Sequence, residues 1–264
     1  MRTKLFLILA VVAAVPAIAQ RPEPPASAST APPLWRHQHA PAQSSGETDP
    51  GAVINPFWGG YVVKGTDFTK VRGSWIVPTA HCSSQPNSFA SLWVGLDGYT
   101  SDSSEQVGIE FECIAATPTY YPWYDFYPNP VRKITGMTVH PGDKMSATVS
   151  FSGSQFTISM TNRTTGKSFS KTATFNRAKR TSAEWIVNGY TAALTNFGKI
   201  SFGDDYTGVN DTNWATDSSV TGPISDFGSK VVKLKMRALN NVVLAAPSAL
   251  TTDGSSFKVR WEHY

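Results

Sequence analysis

The chain has 264 residues, with 23 Lys+Arg against 19 Asp+Glu for a formal charge of +4, and two cysteines. So small a positive excess gives no polyanion-binding signature, and two cysteines without CxxC or His/Cys spacing give no metal site. Neither nucleic acid, metal nor cofactor is expected as a partner.

The first 20 residues, MRTKLFLILAVVAAVPAIAQ, place Arg2 and Lys4 before an apolar run and Ala17-Ile18-Ala19 after it. That is the pattern of a secretory signal peptide, residues 1–19, cut after Ala19. The apolar run of about a dozen residues falls short of the roughly 20 needed to cross a bilayer. No later stretch is long enough either, so no membrane partner is expected and the protein is read as secreted, extracellular or periplasmic.

Residues 20–51 are dominated by Pro, Ala, Ser and Gln, with too little apolar surface to offset the entropy of ordering them. They read as a linker, a disordered tail or a propeptide. An apolar and basic island at residues 34–39, LWRHQH, suits a propeptide that is released in acid. Residues 52–264 remain as a single all-β domain.

Aromatic residues crowd the front of this domain. NPFWGGYVV (55–63), SLWVGLDGY (91–99) and TYYPWYDFYPNP (119–130) supply tryptophans and tyrosines beside prolines and acids. Aromatic walls with a few polar groups suit a cleft for an extended polymer, peptide or glycan. Cys82 and Cys113 form an even pair in an exported chain and are expected to be bridged. The bridge closes a loop of about 30 residues, worth on the order of 3 kcal/mol in the chain-entropy model.

SSEQVGIEFEC (103–113) reads as a strand with Val107, Ile109, Phe111 and Cys113 facing the core and Gln106, Gly108, Glu110 and Glu112 facing away. Gly108 leaves room for a close approach to the backbone. Further on, KMSATVSF, QFTISMTN and RTTGKSFSKTATF alternate as strands around tight turns.

TSAEWIVNGY (181–190) holds one carboxylate in a strand-like run. Ser182, Glu184, Ile186 and Asn188 share one face, and Ala183, Trp185 and Val187 the other. For an arbitrary strand glutamate the ordinary explanation is a solvated sheet face. YTAALTNFG (190–198) reads as one short helical turn, KVVKLKMR (230–237) as a strand with a solvated basic face, and SSFKVRWEHY as a closing strand. Asn162 and Asn210 fit the N-x-[ST] glycosylation pattern.

Signatures of serine hydrolases, zinc proteases and pepsin-like enzymes are missing, and His81, His140 and His263 read as surface residues. The chain resembles the glutamic peptidases of family G1, the eqolisins. The resemblance is carried in order by WGGY (58–61), VRGSWIVPT (71–79), LWVGLDG (92–98), QVGIEF (106–111), WYDFYP (123–128), AEWIV (183–187) and FGKISF (197–202). Val107 stands where the family often has Thr, and Asp125 takes the place of a glutamate.

The resemblance implies a sandwich of two antiparallel sheets, a concanavalin A-like jelly roll, with the active site on the concave sheet. It implies Gln106 and Glu184 as the catalytic pair of an acid endopeptidase. Trp58, Trp93, Asp97, Glu110, Trp123, Asp125 and Tyr127 are the expected substrate-binding residues, with protein or peptide substrates and a monomeric enzyme. The pair also makes sense on its own chemistry. A carboxylate takes a proton from water and returns it to the leaving amine, while an amide donates to the oxyanion without titrating, so it works in acid.

Two other readings stay open from the residues alone. A carbohydrate-active sandwich would pair Glu184 with Glu110 or Glu112. A lectin-like module would use the tryptophans for stacking only.

Overall fold

Apolar residues at every second position set the strands. In Gln155–Asn162, for example, Phe156, Ile158 and Met160 are buried in alternation with more exposed neighbours. The computed structural model describes residues 48–49, 51–83, 86–190 and 192–263. The expected signal peptide and all but the end of the 20–51 leader, with its 34–39 island, lie outside the described residues.

Strand pairing among the described residues runs without a break but folds over into two layers. One layer is built from Thr117–Tyr127, Ser104–Ile114, Ser88–Leu96, Ser182–Asn188, Trp58–Lys64 and Val231–Arg237, each paired to the next. The other follows Ser168–Thr174, Gln155–Asn162, Lys144–Ser152, Lys70–Ile76, Lys199–Phe202, Phe257–Trp261 and Val243–Pro247. They join at one edge, where Val231–Arg237 meets Val243–Pro247 across a register shift at Met236/Arg237. Among the described residues, pairing is antiparallel apart from two short parallel contacts, made by Ala52–Asn55 and Ala193–Leu194. The fold is the all-β sandwich expected.

Between the layers lies the main core, with Trp75, Trp185, Phe156, Phe202, Phe257, Val94 and Val107 all fully buried. Each large side chain there contributes about 1.5–3 kcal/mol from burial. The Trp185 indole crosses the core and donates to the Arg72 carbonyl at 2.8 Å, which fixes the Glu184 strand against the opposite layer. Cys82 and Cys113 are bridged, with α-carbons 5.4 Å apart, tying the loop after Lys70–Ile76 to the end of the Gln106 strand.

Three expectations need correction. Residues 190–198 hold the short strand Ala193–Leu194 instead of a helical turn, because Leu194 is drawn into the core and Thr195 hydrogen-bonds to Ser88 and Phe111. The basic row Lys233, Lys235 and Arg237 is half-buried and not fully solvated, on the strand where the layers join, although it remains the more exposed face. Asn162 is fully buried, donates to Asp143 and accepts from the Thr164 and Thr165 amides, so it organises a turn and is closed to glycosylation. His81, His140 and His263 are exposed, as read.

Candidate active site

Cross-strand register puts the two candidates in one row. Glu184 pairs with Gly95, Gly95 with Gln106, and Gln106 with Asp125. On the far side Glu184 pairs with Val62 and Val62 with Val232. Directly opposed residues share a face, and neighbouring strands lie about 4.8 Å apart, so the Glu184 and Gln106 α-carbons stand roughly 10 Å apart. No side chain lies between them. A Cβ added at Gly95 would sit 2.7 Å from Gln106 Cγ and 2.9 Å from the Glu105 carbonyl oxygen. The glycine lets the Gln106 side chain and the Trp93 ring pack close over the backbone between the two candidates.

Glu184 is 0% exposed, contrary to the solvated face that an ordinary strand glutamate would show. Its Oε1 accepts from the Ser182 hydroxyl at 2.6 Å and from the Tyr99 amide at 3.1 Å, and its Oε2 has no hydrogen-bond partner. Ser182 can reach it because residues two apart on a strand share a face. Burial pushes Glu184 well above the ordinary carboxylate range. The Ser182 hydroxyl and Tyr99 amide pull it back, while Asp97 adds to the rise.

Across the gap, neither the Oε1 nor the Nε2 of buried Gln106 has a partner, and nor do the two oxygens of buried Asp125. Burial raises Asp125 strongly; the nearby Gln106 backbone N–H acts against this without reaching hydrogen-bond geometry. Buried polar groups are almost always satisfied, so a row of exceptions needs an explanation. One carboxylate oxygen, one side-chain amide and one acid, aligned in one row, suit a carbonyl and a water bound between them.

Asp97, expected to bind substrate, does other work. It is fully buried, and its oxygens accept from the amides of Lys179, Arg180 and Thr181 at 2.7–2.8 Å and from the Thr181 hydroxyl. Asp97 thereby anchors the segment that leads directly into Ser182–Asn188.

The aromatic residues form a second buried cluster on the Glu184 face, with Trp58, Trp93, Trp123, Tyr99, Ile186 and Leu234. Trp58 and Trp93 meet edge to face at 5.2 Å. Gly108 lies between Trp93 and Trp123 in the next row. Its expected role as a place for a ligand to approach is filled from within. A Cβ there would strike the Leu92 carbonyl oxygen and come 2.6 Å from Trp93 Cβ. Tyr127 is half-buried one row beyond Asp125, opposite Ser104.

Glu110 is buried against Ser91 and Tyr121 and accepts from the Tyr190 hydroxyl at 2.7 Å. Burial raises it well above the usual range, with the Tyr190 hydrogen bond opposing. Two strands and four residues separate it from Glu184, roughly 17 Å between α-carbons. A glycosidase pair needs about 5–9.5 Å between carboxyl groups. Glu112 lies further still, so the register does not favour the carbohydrate reading.

Sequence reasoning did not single out Ser182, Tyr99 or Gly95. Gly95 had a signal, a glycine inside an otherwise apolar strand.

The Peptidase A4 family matches residues 56–243. Aspergillopepsin-2 of Aspergillus niger is 30% identical over 173 residues, 55% of this chain and 61% of its own length, so the chain spans less than two thirds of that curated relative. The crystal structure of aspergilloglutamic peptidase from Aspergillus niger is 27% identical, with a TM-score of 0.55 over 66% of this chain and 99% of that one. The fold is also that of scytalido-glutamic peptidase crystallised with a peptide-based transition-state analog, at 22% identity and a TM-score of 0.63, covering 79% and 99% of the two chains.

Proposed function

The chain belongs to the Peptidase A4 family, the glutamic peptidases, and from that premise we propose that it is a secreted acid endopeptidase acting through Glu184 and Gln106. Glu184 Oε2 takes a proton from a water held over Gly95, and the water attacks the peptide carbonyl. The carbonyl oxygen becomes an oxyanion and receives a hydrogen bond from Gln106 Nε2. Glu184 then returns the proton to the leaving amine. Its raised proton affinity suits the return of the proton to the amine, while the Ser182 hydroxyl and Tyr99 amide favour the ionised form that the first step requires. Extended protein or peptide chains are the substrates, and the enzyme acts as a monomer; Trp58, Trp93 and Trp123, expected as contacts, are buried in the cluster beside the row.

The observation that carries this reading is the buried row itself: Glu184 Oε2 and both polar atoms of Gln106, unpartnered and separated by Gly95. The test is digestion of a denatured protein at low pH by wild type beside Glu184→Gln, Gln106→Ala and Gln106→Glu. Loss of one oxyanion donor typically costs about 10²–10³ in kcat, and replacing the base should cost at least as much. Near-normal turnover in any of these variants, once shown to be folded, would sink the assignment.

Export through the 1–19 segment and removal of residues 20–51 in acid belong to the same proposal. The Cys82–Cys113 bridge is in keeping with an oxidising compartment. N-terminal sequencing of the active enzyme tests both; a chain that begins at Gln20 and is fully active would rule the propeptide out.

A further inference from the structure

The strand that carries Gln106 also carries a second acid, turned the other way. Glu105 pairs with Leu96 and Phe126, in a row that continues to Ala183 and Val63, all members of the core between the layers. It is 0% exposed, and neither carboxyl oxygen has a hydrogen-bond partner. An ionised carboxylate left unpaired in such a place is far too costly to hold, so the group is kept neutral instead.

The surroundings reinforce this. Burial raises Glu105 well above the ordinary range, and Asp97, Asp125 and Glu184 each push it further. Among the described residues, no cation offsets them. The facing strands Gln155–Asn162 and Lys144–Ser152 present Phe156, Ile158, Met160, Met145, Ala147 and Val149 to the core, and Lys144 is exposed at its strand's end. In the 177–180 segment, Arg177 and Lys179 are exposed, while Arg180 pairs with Asp67 at 2.7 Å and lies over Phe151. On its own strand Glu110 and Glu112 occur, both raised by burial.

We propose that Glu105 is a positioning residue for Gln106 and serves in its protonated form. This rests on the Glu184/Gln106 reading above. The Glu105 backbone helps to form the floor of the gap, since its carbonyl oxygen lies 2.9 Å from where a Gly95 Cβ would be. Side chains 105 and 106 point to opposite faces of one strand, so any twist that releases an ionised Glu105 toward water swings the Gln106 amide away from the gap. A side-chain amide does not titrate. Through its neighbour it nonetheless acquires a pH dependence.

The direction follows from linkage. The folded state holds the Glu105 proton more tightly than the unfolded chain, whose glutamates titrate near 4.3. The stabilisation is complete below that value and is lost as pH rises through the folded one. Over that interval one proton lowers the folding constant about tenfold per pH unit.

The test compares wild type with Glu105→Gln and Glu105→Leu in the full chain between about pH 4 and pH 7. Denaturant unfolding should show a wild-type stability slope one proton steeper than either variant. The high-pH limb of kcat on a quenched peptide should move upward in Glu105→Gln, with KM changing less. The Gln106 side-chain amide resonance of labelled protein should show a titration step in wild type that is missing in Glu105→Gln. Parallel unfolding slopes would overturn the neutral buried acid. Changed slopes with an unmoved kcat profile and an unmoved Gln106 resonance would overturn positioning. If wild type cleaves no peptide, the dyad reading fails, while the slopes and the resonance still decide on Glu105.

Discussion

Gly95→Ala adds one methyl group to the floor between Glu184 and Gln106. At its ideal position that carbon lies 2.7 Å from Gln106 Cγ, 2.9 Å from the Glu105 carbonyl oxygen and 3.3 Å from Trp93 Cζ3. Carbon atoms in contact prefer about 3.5–4.0 Å, so Gln106 must move by the better part of an ångström. Misplacement of about 1 Å in a reacting geometry can lower rate by around 10². Complete loss of one oxyanion donor costs about 10²–10³. We therefore expect kcat to fall by about 10² with a smaller change in KM. Overpacking of a tight site typically destabilises by about 1–3 kcal/mol, so the variant should still fold. The assay is peptide hydrolysis in acid, paired with denaturant unfolding of the same preparation. A folded Gly95→Ala enzyme with wild-type kcat would show that the reacting atoms do not lie over this glycine, and the mechanism would have to be rebuilt elsewhere on the sheet.

Two further outcomes follow from the same geometry. Asp97→Ala removes the acceptor for the Lys179, Arg180 and Thr181 amides, and leaving these groups unsatisfied should destabilise by about 3 kcal/mol or more; an unfolding curve superimposable on wild type would contradict the anchoring role. Reduction of the Cys82–Cys113 bridge, which spans 31 positions, should lower stability by about 3 kcal/mol; an unchanged unfolding midpoint in reductant would show that the packing alone holds the Gln106 strand.

Much of this was legible in the sequence because strand periodicity is short and strict. Alternation placed Gln106 opposite in facing to Val107, and Glu184 opposite to Trp185, and both assignments hold. The motif order supplied the pairing of the two residues. Nothing in a linear string, however, says that Glu184, Gly95 and Gln106 share a row, since that depends on the register of three strands drawn from residues 88–188. Gly108 was the more conspicuous glycine, beside the candidate acid residues, yet its space is taken up by Trp93 and the Leu92 carbonyl. Asp97 likewise looked like a cleft acid, and only the fold brings the 179–181 amides to it.

What alternation cannot convey is whether a polar face is wet. A two-sided pattern of acids and apolar residues is ordinarily read as core against solvent, and on that reading Glu184 and Glu110 would be surface groups. Both are buried, as are Glu105 and Asp125. Burial is the leading cause that raises all four. Glu105, Glu110 and Asp125 are neutral at little cost in an acidic medium and become progressively harder to keep buried as pH rises through their folded values. A sheet carrying three of them loses stability as pH rises, before any catalytic step is considered. In the proposed mechanism Glu184 draws on the same environment, because the desolvation that raises the neighbouring acids also raises its proton affinity.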